Sequence, residues 1–324
     1  SSVENPKYIP LSDASVKVED KNGHTFYFSE QDSGQYVCHN LGAKAGNSYK
    51  LFFNTENGDR YESEFQELTP CPAVDSITYD VEYQPTTDVN YDRVGYRFYA
   101  STKDLQNNHP FYLWRLEETY EYHANFVAYY VFAGSLEENP EPYKHYYCWK
   151  SQVLDDYYMY DARHLEKVVI NQVPLNYVST EGKQLTVKYS LQARQYAISE
   201  KAFYYYSNIK AQQTEGDNLY TKQPFYVQGN ISCVSNPEKK VLGYFLVAGQ
   251  SNKRIFVDRP FLPFYDPECE ASTDGVGYLF LSPPEEWPIY FTKTSSGFIA
   301  RSSPECFDCR TYGGNLTKPA FWPD

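Results

Sequence analysis

Residues 115–122, RLEETYEY, carry Glu117, Glu118 and Glu121 in one short run. On a strand, Arg115, Glu117, Thr119 and Glu121 would line one face, and Glu118 would sit on the other beside Trp114, Leu116 and Tyr120. Carboxylates so placed can act as a general acid and base or hold a cation. The same pattern fits a cross-strand ion-pair ladder on Arg115, with Glu118 capping a local donor. Asp155, Asp156 and Asp161 could hold calcium, but they lack the spacing of a calcium loop and read as a solvated turn. Tyrosines cluster at 129–130, 146–147, 157–160 (around Met159) and 204–206. Tyr157, Tyr158 and Tyr160, with Trp287 and Trp322, are the candidate contacts for a ligand or partner; sheet packing is the alternative use of the same rings.

The histidines at 24, 39, 109, 123, 145 and 164 form no pair at metal-ligand spacing. The sequence has no Gly-x-Ser-x-Gly elbow and no nucleotide-binding glycine pattern, and the glycines of GVGYLF (275–280) open no helix. No catalytic set, metal or cofactor is therefore expected. The seven cysteines stand at 38, 71, 148, 233, 269, 306 and 309. A zinc site at Cys306-x-x-Cys309 would need a second ligand pair, and no histidine follows residue 164. A redox pair should open a helix after a strand, whereas Pro304 precedes this pair and a Gly-Gly turn follows. A staple is the better reading: Cys269 with Cys306 or Cys309. Cys38 with Cys71, and Cys148 with Cys233, are the further pairs expected, which leaves one C-terminal thiol over.

These residues need a β framework. With 324 residues the chain can hold two domains. A formal net charge of -13 and no basic run longer than Lys239–Lys240 argue against nucleic acid and anionic lipid as partners. Thirty-four tyrosines against one methionine suit half-wet pleated surfaces. ASVKVED, KNGH and TFYFSE (14–30) read as a hairpin turned at Asn22-Gly23, and 47–65 as a second turned at Asn57-Gly58. The expectation is a mainly β protein: a small antiparallel sandwich over 1–70, then a larger β-rich sandwich or barrel over 71–324. Strands are read at 76–84, 92–102, 111–123, 143–153, 183–199, 226–234 and 241–250. One helix is read near 199–215, with Ser199 as N-cap, an apolar stripe of Ala202, Phe203, Tyr206 and Ile209, and Gly216 at its end. The last seventy residues read as ordered irregular structure closed by the staple.

The order of ASVKVEDKNGHTFYF, YLWRLEETYEY, YYCWKS, QYAISEKAFYYYSNI, QGNISC, VLGYF and the terminal CFDCRTYGGNLTKPAFW resembles an uncharacterised family of Bacteroidota outer-membrane lipoproteins, a domain of unknown function. Its members are often encoded beside SusC-like TonB-dependent transporters. The first segment resembles a transthyretin-like sandwich. The resemblance implies a signal, a lipid-anchored cysteine and a further strand ahead of Ser1, and a place on the cell surface. It implies a non-enzymatic accessory subunit of such a transporter or of another outer-membrane complex. The alternatives are stand-alone capture of a glycan or peptide, an adhesin, and a hydrolase built on Glu117, Glu118 and Glu121.

Overall fold

The structure, a computed structural model, describes residues 9–88, 91–104, 110–216, 226–264, 269–274, 276–277 and 282–323. Strands β1 (Ser15–Asp20) and β2 (Thr25–Asp32) form the first hairpin. Gly23 sits in its turn at φ 87°, a backbone that costs glycine no Cβ clash. The Asp20 carboxylate fixes the turn by accepting the backbone N–H groups of Asn22 and His24, each at 2.9 Å. β3 (Gln35–Val37), β4 (Ser48–Asn54), β5 (Arg60–Ser63) and β6 (Gln66–Glu67) complete the local strands, with the β4–β5 hairpin turned through Gly58. The sheet runs β5–β4–β1–β2–β3, and Ile231–Cys233 adds itself to the outer side of β5. Val18, Tyr49 and Tyr61 are its large buried apolar residues.

Two further sheets pack face to face. The first has β7 (Val74–Pro85), β8 (Asp92–Asp104) and, beyond them in sequence, Val168–Ser179. The second is centred on β9 (Phe111–His123). Two short strands follow, β10 (Tyr130–Phe132) and β11 (Leu136–Glu138), then β12 (Tyr147–Asp161), β13 (Val168–Ser179) and β14 (Lys188–Ala197). β15 is the strand Ile231–Cys233 named above, and β16 spans Gly249–Asp258. The orders are β13–β8–β7 and β12–β9–β14–β16, all antiparallel. One core joins them: Phe98, Ile170 and Leu175 from the first sheet meet Trp114, Tyr189 and Leu191 from the second. Each large side chain withdrawn from water there contributes about 1.5–3 kcal/mol. The protein is thus mainly β, with a three-on-four sandwich at its centre. Among the described residues no sheet closes into a barrel.

Helix α1 (Glu200–Gly216) covers the outer face of β9 at its start. The Ser199 hydroxyl accepts the N–H of Ala202 at 3.2 Å, the N-cap expected from the sequence. Ala202, Phe203 and Tyr206 pack on Phe111 and Leu113, so β9 is apolar on both faces there. β17 (Ile289–Lys293) and β18 (Ile299–Arg301) pair with β10 and β11 in a separate small sheet around Phe132 and Phe291.

Several expected strands differ. Of 226–234 only Ile231–Cys233 is strand. Residues 241–248 are irregular, with Tyr244, Leu246 and Ala248 turned onto α1, and the strand begins at Gly249 instead. β13 is not among the expected strands; it is a sheet edge, where Pro174 is tolerated, and it shifts register between Pro174 and Tyr177.

Candidate functional site

β9 splits its residues as the alternation requires, but the ion-pair ladder stands on Glu117, not on Arg115. Glu117 takes Arg194 on one oxygen and Arg254, at 3.0 Å, on the other. Arg115 faces Arg194 and Tyr157 across the sheet. Glu121 accepts the indole N–H of Trp322 at 3.1 Å. Glu118 points into the sandwich and is 3% exposed. One of its oxygens accepts the Tyr189 hydroxyl at 2.9 Å and the other the Gln152 amide at 2.6 Å. Burial pushes its carboxyl up, against the pull of these two bonds and of Lys150. All three glutamates are thus committed to neighbours within the fold. Asp155 is exposed, Asp156 holds Lys210 at 2.9 Å, and Asp161 is clamped by Arg163. Among the described residues no three His, Cys, Asp or Glu converge as ligands, and His109 lies outside the described residues, as do Gly275 and 278–280 of the GVGYLF segment.

The five candidate aromatic contacts fall in separate places. Tyr157 is buried under α1, and its hydroxyl donates to the Tyr206 carbonyl at 2.8 Å. Tyr158 and Tyr160 are half-buried against the main core. Trp287 stands edge-on to Phe132 at 5.5 Å in the small sheet's core. Trp322 is 5% exposed, edge-on to Phe256 at 5.4 Å, and fastens the tail to Glu121. Each ring is engaged in packing.

The cysteines pair as Cys269–Cys306 and Cys148–Cys309, while Cys38, Cys71 and Cys233 are free. The first bridge is one of the two staples expected. The expected pairs Cys38–Cys71 and Cys148–Cys233 are corrected. Cys233 lies in β15 on the N-terminal sheet, whereas Cys148 lies in β12 of the sandwich. Cys71 packs instead against the Gln195 carbonyl at 3.5 Å, and burial raises its thiol. Cys309, the thiol left over in the sequence reading, is the partner of Cys148. The tail reaches it along β12: Trp149 and Asn315 exchange two backbone bonds of 2.8 Å, and the Tyr122 hydroxyl donates to the Cys309 carbonyl at 2.6 Å. Gly314 presses so closely that a Cβ there would meet the Tyr122 hydroxyl and, at 2.8 Å, Cys148 Cβ. The Gly-Gly of the tail is a docking requirement as well as a turn.

Where the stapled tail meets the end of the sandwich, a cleft of about 800 Å³ opens. Its rings are Tyr120, Tyr146, Phe264 and Tyr312; its cations are Lys150, Lys183 and Arg259. Lys150 donates to the Tyr312 carbonyl at 3.2 Å. Arg259 donates to the Thr186 carbonyl at 2.9 Å and lies 4.3 Å over the Phe264 ring. Lys183 reaches Asn125 Oδ1 at 3.1 Å and sits 5.0 Å over Tyr312. The carboxylate at the rim, Glu181, is already bound by Arg93 and the Tyr91 hydroxyl. Tyr120 is 5% exposed, and burial raises its hydroxyl well above the ordinary tyrosine range. The sequence reading missed this site because no local spacing joins residues 120, 150, 183, 259 and 312; only the staple and the strand register bring them to one place.

A family profile described as a domain of unknown function, DUF4249, matches residues 1–254. No curated protein and no solved structure matches the chain significantly. The matched span holds Lys150 and Lys183 of the cleft; Arg259, Phe264, Tyr312 and three of the four bridged cysteines lie beyond it.

Proposed function

The chain belongs to the DUF4249 family, and from its stapled β scaffold we propose that it is a non-enzymatic binding lipoprotein of the Bacteroidota outer membrane. In this reading a lipid anchor outside the present stretch holds it at the cell surface, where it serves as an accessory subunit of a SusC-like TonB-dependent transporter or another outer-membrane complex. The observation that carries it is the pair of disulfides that bind the irregular C-terminal segment to the sandwich. Such bridges form and persist in oxidising compartments. Cys148, Cys306 and Cys309 are fully buried, so the bridges serve structure. Glu117, Glu118 and Glu121, the residues a hydrolase would use, are engaged within the fold, which favours a binding role.

The test is a mild-detergent pull-down of the tagged, full-length lipoprotein from native outer membranes, with co-purifying proteins identified by mass spectrometry. A β-barrel partner at stoichiometric yield is expected. Recovery of the protein alone would sink the subunit reading. A second reading, stand-alone capture of a glycan or peptide, draws on the ring-and-cation cleft beside the tail.

A further inference from the structure

We propose that the cleft between the sandwich end and the stapled tail binds an acidic saccharide, through carboxylate contacts to Arg259 and Lys150 and stacking of sugar rings on its aromatic walls. This deepens the capture reading of the cleft and is independent of any barrel partner.

Charge is the first argument. The whole chain carries a net charge of -13, yet three cations line this one cleft. Arg259 and Lys150 each donate to a backbone carbonyl oxygen, and among the described residues neither is in an ion pair, although Lys150 acts through space on the buried Glu118. A guanidinium held by one N–H and by a ring beneath it keeps its remaining donors for a planar anion. The nearby Glu181 does not neutralise them, because Arg93 and Tyr91 already hold it.

Polar side chains on the cleft wall match a hydroxylated ligand. Tyr120 is 5% exposed and lines the cleft. His123, also lining the cleft, is already engaged: its Nε2 lies 3.5 Å from the Glu121 carboxylate. The hydroxyl groups of a saccharide can pair with the Tyr120 hydroxyl at the cleft wall.

The third argument is shape. A cleft of about 800 Å³ exceeds what a single small anion fills and lies within the range of organic ligand sites. Aromatic walls beside the cations ask for flat apolar faces in the ligand, and the C–H face of a pyranose is such a surface. A bare phosphate would leave the rings unused. A nucleic acid would meet repulsion from the rest of the acidic chain.

The experiment is titration calorimetry on the purified chain with trigalacturonate as the probe, against the neutral trisaccharide maltotriose and inorganic phosphate. Trigalacturonate is expected to bind at least about tenfold more tightly than either, the weight of one charge-assisted hydrogen bond. Its binding should weaken as salt rises. Arg259→Gln and Lys150→Gln should each lower affinity about tenfold with an unchanged melting temperature, and Tyr120→Phe severalfold. Lys17→Gln, on the N-terminal sheet, should have no effect. Should the Arg259 variant fail to fold, Lys150→Gln and the salt dependence decide. Silence towards trigalacturonate, equal binding of maltotriose or phosphate, or full affinity in the cleft variants would overturn the proposal. Such a failure alongside a co-purifying barrel would leave the transporter-subunit reading standing.

Discussion

Glu118 offers the sharpest test of how the sandwich is built. Its carboxylate is enclosed between the sheets, with the Tyr189 hydroxyl at 2.9 Å and the Gln152 amide at 2.6 Å. Glu118→Ala removes both acceptors. Gln152 is exposed and can turn to water, but Tyr189 is fully buried. The one other polar side chain bonded to that hydroxyl, Asn176, reaches it with Nδ2 at 3.4 Å and offers its unpartnered Oδ1 only by turning its amide over. A buried donor left unmade costs about 1–3 kcal/mol, and the vacated side-chain volume adds about 1 more. The Ala variant should therefore lose ~2–4 kcal/mol in urea unfolding. Glu118→Gln should behave differently. Its carbonyl still accepts from Tyr189, and its amide can donate to Gln152 once that side chain flips. Burial raises the Glu118 carboxyl in the folded state. Between the unfolded glutamate value, about 4.3, and the raised folded one, the native state holds a proton that the unfolded chain has lost. Wild-type stability from this group falls as pH rises through that window. The Gln variant lacks this component, so it should match wild type well below the unfolded glutamate value of about 4.3 and gain on it by pH 8. A Gln variant that loses as much as Ala, with the wild-type pH profile intact, would refute the enclosed, proton-holding carboxylate.

Replacing both Cys148 and Cys309 by alanine opens a bridge across 161 residues; loop entropy sets the loss at up to about 5 kcal/mol, read as a lower denaturant midpoint. Gly314→Ala should push the tail off Tyr122 and Cys148, lowering the melting temperature by several degrees and weakening any cleft ligand through Tyr312. Glu82 is pulled down to about 2 by hydrogen bonds from Arg97 and Gln84. Its contribution is present above the unfolded glutamate value and fades as pH falls towards 2, so Arg97→Met should flatten that acid limb, by under about 1 kcal/mol at this partly exposed pair.

Much of the framework was legible because local chemistry specifies it. Asn22-Gly23 and Asn57-Gly58 allow few conformations other than tight hairpins, and Ser199 followed by an apolar stripe defines the helix start. The alternation of β9 told which side Glu118 would face, but not that a second sheet would seal it in. Partnership across distance stayed hidden. Cys148 and Cys309 are brought together only when the tail adds to β12, and Glu117 meets Arg254 only through the β14–β16 register. The strand at 168–179 is absent from the strands expected; it carries Pro174, which a sheet edge tolerates and a central strand does not. The cleft draws on β9, β12, the loops after β9, β13 and β16, and the tail, so no window of sequence contains it.

The stapled tail should be bound to the sandwich through both bridges in an oxidising compartment. Proteolysis of the protein isolated from its native envelope, under non-reducing conditions with thiols blocked, followed by mass spectrometry, tests this. The predicted result is linked peptides for Cys148–Cys309 and Cys269–Cys306, with Cys38, Cys71 and Cys233 carrying the blocking group. A Cys148–Cys233 or Cys38–Cys71 link, or seven blocked thiols, would contradict it.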